Sequence, residues 1–208
     1  MFSEQMIPPR LILILGGARS GKSAFAERLA ARSGKTVAFV ATATDSDDEM
    51  SERIARHRAS RPQEWHTIEE PLDLAKAVLR ANQLADVAIL DCMTLWLGNM
   101  LLQEQGEHES DVQVQEELRI TSSTFDERSL QHIEALLAVL QSAEKSKTLI
   151  VVSNEVGLGI VPAYPLGRIY RDTLGYVNQR LAQNADRVYL MVAGLVVDIK
   201  SLHQEASL

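Results

Sequence analysis

A single cysteine, Cys92, excludes an internal disulfide framework and a cysteine-rich zinc site. It suits a reducing cytoplasm. Glycine (11) and proline (6) are too few for a collagen-like or disordered chain. Long apolar runs are missing as well. Leu11–Leu15 is cut off at once by Gly16-Gly17, and the stretch from Val188 to Ile199 is broken by Gly194. Neither can span a bilayer, and the first is too short for a signal-peptide core, so no targeting segment is expected. A basic excess is also lacking: the net charge of −7 argues against general binding of nucleic acid or anionic membranes. What remains is 46% hydrophobic and 24% charged over 208 residues, the make-up of one soluble globular domain with a real core.

The negative charge is concentrated. Between Gln103 and Arg128 eight acidic residues are opposed only by Arg119 and Arg128, so six of the seven net charges sit there. The segment reads as an acidic surface excursion at 103–128 within a single domain. The rest of the chain is nearly neutral and can hold a locally basic pocket.

Short apolar runs alternate with helical patterns. Strands are expected at Leu11–Leu15, Val37–Ala41, Val87–Asp91, Thr148–Val152, Val188–Val192 and Leu195–Ile199. Several lack polar alternation, as strands covered on both faces do. Helices are expected at Lys22–Ala31, Asp48–Ser60, Pro71–Ala81, Leu130–Leu140 and Ile169–Ala182. This order implies an α/β fold, a mostly parallel sheet with helices on both faces. Only Ala193-Gly194 joins the last two strands, which therefore close the sheet as an antiparallel hairpin.

The strongest local signal is Gly16-Gly17-Ala18-Arg19-Ser20-Gly21-Lys22-Ser23, the G-x-x-x-x-G-K-[ST] pattern between a buried strand and an amphipathic helix. Glycines let successive backbone N–H groups face one anion, and the helix N-terminus adds its positive end. Lys22, read as an exposed loop lysine, supplies a cation for the outer phosphates. The Ser23 hydroxyl can ligate Mg²⁺. Asp91, an acid ending the apolar run Val87–Leu90, is the candidate second Mg²⁺ partner. No N-K-x-D guanine-reading motif and no protein-kinase signature accompany these residues.

The helix after the second strand opens with Asp47, Asp48 and Glu49 and closes with Arg53, Arg56, Arg58 and Arg61. That order complements the helix dipole, which alone would account for it. Yet His57 shares a face with Arg53 and lies among the other arginines, and clustered guanidiniums call for an anion between them. A neutral imidazole is a competent nucleophile toward phosphorus.

These pieces, with Ala41-Thr42-Ala43, His57-Arg58, Arg61-Pro62, Leu90-Asp91-Cys92, Asn154-Glu155-Val156-Gly157 and Gly159-Ile160-Val161-Pro162, resemble the bifunctional adenosylcobinamide kinase/adenosylcobinamide-phosphate guanylyltransferase family of cobalamin biosynthesis. The resemblance runs from about Leu11 to Lys200. It implies a P-loop NTPase-type, RecA-like domain that phosphorylates adenosylcobinamide with GTP or ATP, then passes GMP from GTP to that phosphate through a GMP-histidine intermediate. It further implies that His57 is the nucleophile, with Lys22 as its catalytic companion. Nucleotide contacts would come from Gly16 to Ser23, Ala41, Thr42, Ala43, Arg58, Ala59, Ser60, Arg61, Glu69 and Asp91, and the assembly would be a homo-oligomer, a trimer. Two other readings stay open on the residues themselves: a P-loop small-molecule kinase that needs no histidine, and a nucleotide-dependent regulatory module.

Overall fold

The computed structural model describes residues 8–44, 48–59, 61–109 and 122–203. Its elements are β1 (Leu11–Gly16), α1 (Lys22–Arg32), β2 (Val37–Ala41), α2 (Asp48–Ala59), β3 (His66–Glu69), α3 (Leu74–Leu84), β4 (Val87–Asp91), α4 (Met93–Glu109), α5 (Ser122–Ser142), β5 (Thr148–Val152), α6 (Pro165–Asn184), β6 (Arg187–Val192), β7 (Leu195–Asp198) and α7 (Ile199–Leu202). The strands form one sheet in the order β3-β2-β4-β5-β1-β6-β7. Every pairing is parallel except the last, where β7 returns against β6.

The period of two along β1 divides the core. Leu11, Leu13 and Leu15 face a large apolar layer with Trp96, Phe125, Ile133 and Leu174, drawn from α4, α5 and α6. Ile12 and Ile14 face a smaller one with Ala26 and Ala30 of α1 and Phe39 and Ile89. Burial on both faces explains why these strands read as unbroken apolar runs.

Local chemistry ends the elements where the sequence suggests. Asp73 caps α3 by accepting from the Lys76 N–H at 2.9 Å. Pro165 opens α6, where no N–H is needed. Ala193 and Gly194 both have positive φ (51° and 81°), the two-residue turn that matches strand twist in a hairpin.

Three elements were not expected: α4, β3 and α7. Helix α4 occupies a stretch with no assignment, although Met93, Trp96, Leu97, Met100 and Leu101 are buried at helical spacing. Strand β3 is four residues with only Ile68 buried, and it exists through its pairing with β2. At the chain's end, β7 stops at Asp198, whose side chain caps α7. Of the acidic 103–128 segment, 110–121 lie outside the described residues. Its flanks are helical, and Phe125 and Glu104 are buried, the latter paired with Arg128 at 2.7 Å. Among the described residues no helix is long and apolar enough to cross a membrane.

Candidate active site

Parallel strands deliver their C-terminal ends to one edge, the usual ligand edge of an α/β sheet. Gly16, Ala41, Glu69, Asp91 and Val152 all end there. The loop from Gly16 to Gly21 turns back over β1. A Cβ on Gly16, whose φ is +153°, would lie 2.5 Å from the Met191 carbonyl and 2.8 Å from Ser20 Oγ, so only glycine fits. Gly21, at φ 92°, starts α1 with no side-chain cap, leaving the helix's first N–H groups open toward the cleft. The hairpin turn buttresses this loop, the Gly194 N–H donating to the Ser20 carbonyl at 3.1 Å.

A cleft of ≈ 810 Å³ opens over the loop. Ala18 to Ala24 line one wall; Glu52, Arg56 and His57 of α2 line another; Asp91, Cys92, Thr94, Leu95, Val152 and Asn154 form the floor. Lys22 is not the exposed loop lysine expected. It is 7% exposed, and its Nζ is folded back onto the Gly17 carbonyl at 2.6 Å. Burial lowers its affinity for a proton, with Asp91 opposing that effect. Burial likewise holds the Asp91 carboxyl above the ordinary range, countered by the Ser23 hydroxyl and by His57, Arg61 and Lys22 nearby. These groups want an anion and a cation between them.

A second cavity adjoins the first. Phe39, Ala41, Ala43, Ile54, Arg58, Arg61 and Glu69 line it, together with Ser23, His57, Asp91, Cys92 and Leu95, which belong to both. Arg61 stacks on Phe39, its Cζ 3.5 Å from the ring centroid, and its buried Nε has no hydrogen-bond partner among the described residues. Arg58 pairs with Glu69 at the exposed rim.

Ser20, Gly21, Lys22, Ser23, His57 and Asp91 thus come together at one cleft, and Ala41, Ala43, Arg58, Arg61 and Glu69 meet at its neighbour. Thr42 lines neither: it is fully buried, and its hydroxyl joins the Cys92 backbone. Ala59 is exposed and lines neither cavity. Ser60 and the Arg53 side chain lie outside the described residues. Cys92, Thr94, Leu95 and Phe39 were missed, as was Glu27. Glu27 stands one turn beyond Ser23 on α1, its carboxyl raised by burial and lowered by Arg61. Its i+4 spacing from Ser23 was the available signal.

Fold and site together define a parallel α/β nucleotide-type protein with its cleft at the strand ends. Comparison narrows this. The family model described as cobinamide kinase / cobinamide phosphate guanyltransferase matches residues 12–199, and the chain belongs to that family. It is 44% identical over 188 residues to the bifunctional adenosylcobalamin biosynthesis protein CobP of Pseudomonas aeruginosa, covering 90% of this chain and 96% of that protein. It is 37% identical over 190 residues to the bifunctional adenosylcobalamin biosynthesis protein CobU of Escherichia coli K12, covering 91% and 99%. Among solved structures, an ATPase from the type III secretion system of pathogenic bacteria superposes with a TM-score of 0.50 at 11% identity. That match covers 91% of this chain and 57% of the ATPase, a likeness of fold alone.

Proposed function

We propose that the family's two reactions, phosphorylation of adenosylcobinamide and transfer of GMP onto the resulting phosphate, share the double cavity and divide at His57. The protein is a transferase of this bifunctional family. One observation carries the residue-level reading: His57 is a wall of both cavities. A nucleoside triphosphate with its phosphates over Ala18 to Ser23 and its nucleoside toward Phe39, Ala41, Ala43 and Arg61 brings its α-phosphorus to the boundary. The α-phosphorus is the atom guanylyl transfer attacks.

In the kinase step the loop amides and Lys22 hold the phosphates, and the terminal phosphoryl passes to the cobinamide hydroxyl. In the second step an imidazole nitrogen of His57 bonds to the α-phosphorus as pyrophosphate leaves. The cobinamide phosphate oxygen then displaces His57. Arg56, Arg58 and Arg61 offset the charge that develops. Ala41, Thr42, Ala43, Glu69 and residues 58–61 would serve GTP directly or by shaping the pocket.

Mg²⁺ fits the donor set. Ser23 hydroxyl and Asp91 carboxylate are hard oxygen ligands, and phosphates with water complete such a shell. Among the described residues no group of three or more acidic, histidine or cysteine side chains forms a protein-only cage. When bound, the ion would offset phosphate charge.

The RecA-like assignment is supported by the strand order, with β5 between the phosphate-loop strand and the Asp91 strand. A homo-oligomer is supported by the apolar run Leu158, Ile160 and Val161, which is 88%, 96% and 59% exposed. Its being a trimer rests on the family resemblance alone, and its cytoplasmic location on the single cysteine. Light scattering should give three subunit masses; one subunit mass would refute the trimer. The site reading is tested by His57→Ala. Guanylyl transfer should vanish while adenosylcobinamide phosphorylation persists, and retained guanylyl transfer would defeat the assignment.

A further inference from the structure

Asn154 stands just past the end of β5, the strand that pairs with β1 on one side and β4 on the other. It therefore sits between the phosphate loop and Asp91. Its backbone is tied on both sides. The Asn154 N–H donates to Thr94 Oγ1 at 3.1 Å, and its carbonyl accepts from Asn178 Nδ2 at 2.9 Å. Asn178 is itself 5% exposed, and its Oδ1 accepts from the Ser153 hydroxyl at 2.6 Å. Thr94 is held in turn, its carbonyl accepting from the Tyr170 hydroxyl at 2.9 Å. Strand β5 and helices α4 and α6 are thus joined at this one residue.

All of this fixes the backbone and leaves the side chain unspent. The Asn154 carboxamide has no hydrogen-bond partner among the described residues, and it lines the ≈ 810 Å³ cleft together with Ala18 to Ala24, His57 and Asp91. A half-buried amide held in a fixed position with its donors free is a pre-organised contact for a ligand. The loop amides would take the inner phosphates, and Lys22, turned from the Gly17 carbonyl, the outer ones. The terminal phosphoryl would then lie toward the ends of β4 and β5, where Asp91 and Asn154 line the cleft with Thr94.

We infer that Asn154 is a catalytic residue of the phosphoryl-transfer step, its amide N–H₂ donating to an oxygen of the terminal phosphoryl, and that Asn178 is the positioning residue that aims it. In that step the cobinamide hydroxyl oxygen bonds to the γ-phosphorus as the bond from that phosphorus to the β,γ-bridging oxygen breaks. The hydroxyl proton leaves to solvent, and the nucleoside diphosphate departs with the bond's electron pair. Charge shifts among the phosphoryl oxygens, and a donor already in place stabilises it without reorganisation. Guanylyl transfer breaks a different bond, at the α-phosphorus beside His57, and draws nothing from Asn154 at the reacting atom.

The two reactions make the inference separable. With Asn154→Ala, kcat for ATP-dependent phosphorylation of adenosylcobinamide should fall about 10²–10³-fold, the usual cost of losing one such donor. KM for ATP should move less than about threefold, and the GMP adduct from α-labelled GTP should form at a rate within about threefold of wild type. Asn154→Asp, which keeps the shape and removes the donor, should lose at least as much kcat and serves if the alanine variant does not fold. Asn178→Asp, which removes the bond to the Asn154 carbonyl, should lower kinase kcat by about tenfold with KM little changed. A kinase kcat within about threefold of wild type in the Asn154 variants would overturn the inference, as would an equal fall in both reactions. The inference rests on the phosphate-loop reading of 16–23. That reading fails separately, if Lys22→Ala leaves both reactions intact.

Discussion

Thr42→Val separates two roles for a residue that the family resemblance assigns to nucleotide contact. The Thr42 side chain is fully buried. Its Oγ1 donates to the Cys92 carbonyl at 2.8 Å and accepts from the Cys92 N–H at 2.8 Å, so one hydroxyl binds both backbone groups of Cys92, and the carbonyl also accepts from the Trp96 N–H at 3.2 Å. Valine keeps the shape and offers neither bond. The Cys92 N–H is left unsatisfied, which costs about 1–3 kcal/mol; the Cys92 carbonyl keeps the Trp96 N–H and loses one bond worth about 0.5–1.5 kcal/mol, and the added methyl returns about 0.8 kcal/mol. A net loss of about 2 kcal/mol corresponds to a Tm lower by about 4–8 °C in a domain of this size. Urea unfolding followed by circular dichroism reads it as a lower midpoint at constant slope. Thr42→Ser should restore most of the stability. KM for GTP in the folded valine variant should rise less than about threefold, because Ala41 and Ala43 line the cavity and Thr42 does not. Stability within about 0.5 kcal/mol of wild type, with a KM raised about tenfold or more, would refute the reasoning and make Thr42 a ligand.

Two further outcomes follow from the cleft. Lys22→Ala should lower both reactions by at least about 10²-fold while moving stability by less than about 1 kcal/mol. The buried ammonium is already disfavoured by desolvation, so removing it offsets the lost bond to Gly17; parallel denaturation and activity assays check this. The Cys92 thiol is pushed up to about 11 by burial, with Asp91 adding to the shift. Alkylation by iodoacetamide should therefore be slow at pH 8, rise about tenfold per pH unit toward pH 10, and be suppressed by GTP, since Cys92 lines both cavities. Fast, pH-independent labelling would contradict that.

Much of the fold is legible because the parallel strands are apolar on both faces. Val37–Ala41, Val87–Asp91 and Thr148–Val152 have the same bounds in sequence and structure. Helix α4 was overlooked although positions 93, 96, 97, 100 and 101 carry its period. Gly98 interrupts it, and it runs straight into the acid-rich stretch. Strand β3 has one buried side chain, and no local pattern can announce a strand made by its neighbour. The phosphate loop and Asp91 are local signals, each a motif at a strand end. The stacking of Arg61 on Phe39 and the bonds joining Ser153, Asn154, Thr94 and Asn178 link residues far apart in the chain. Pairwise geometry of that kind leaves no trace in spacing, and neither does the folding of Lys22 back onto Gly17.

The central claim is that His57, at the junction of the two cavities, takes GMP from GTP. It is tested most directly by incubating the protein with Mg²⁺ and GTP labelled at the α-phosphate, then mapping the labelled peptide. The account predicts one adduct, on His57, formed with release of pyrophosphate, lost in acid and stable in alkali as a phosphoramidate is. Label on another residue, or no adduct from a preparation that still phosphorylates adenosylcobinamide, would contradict it.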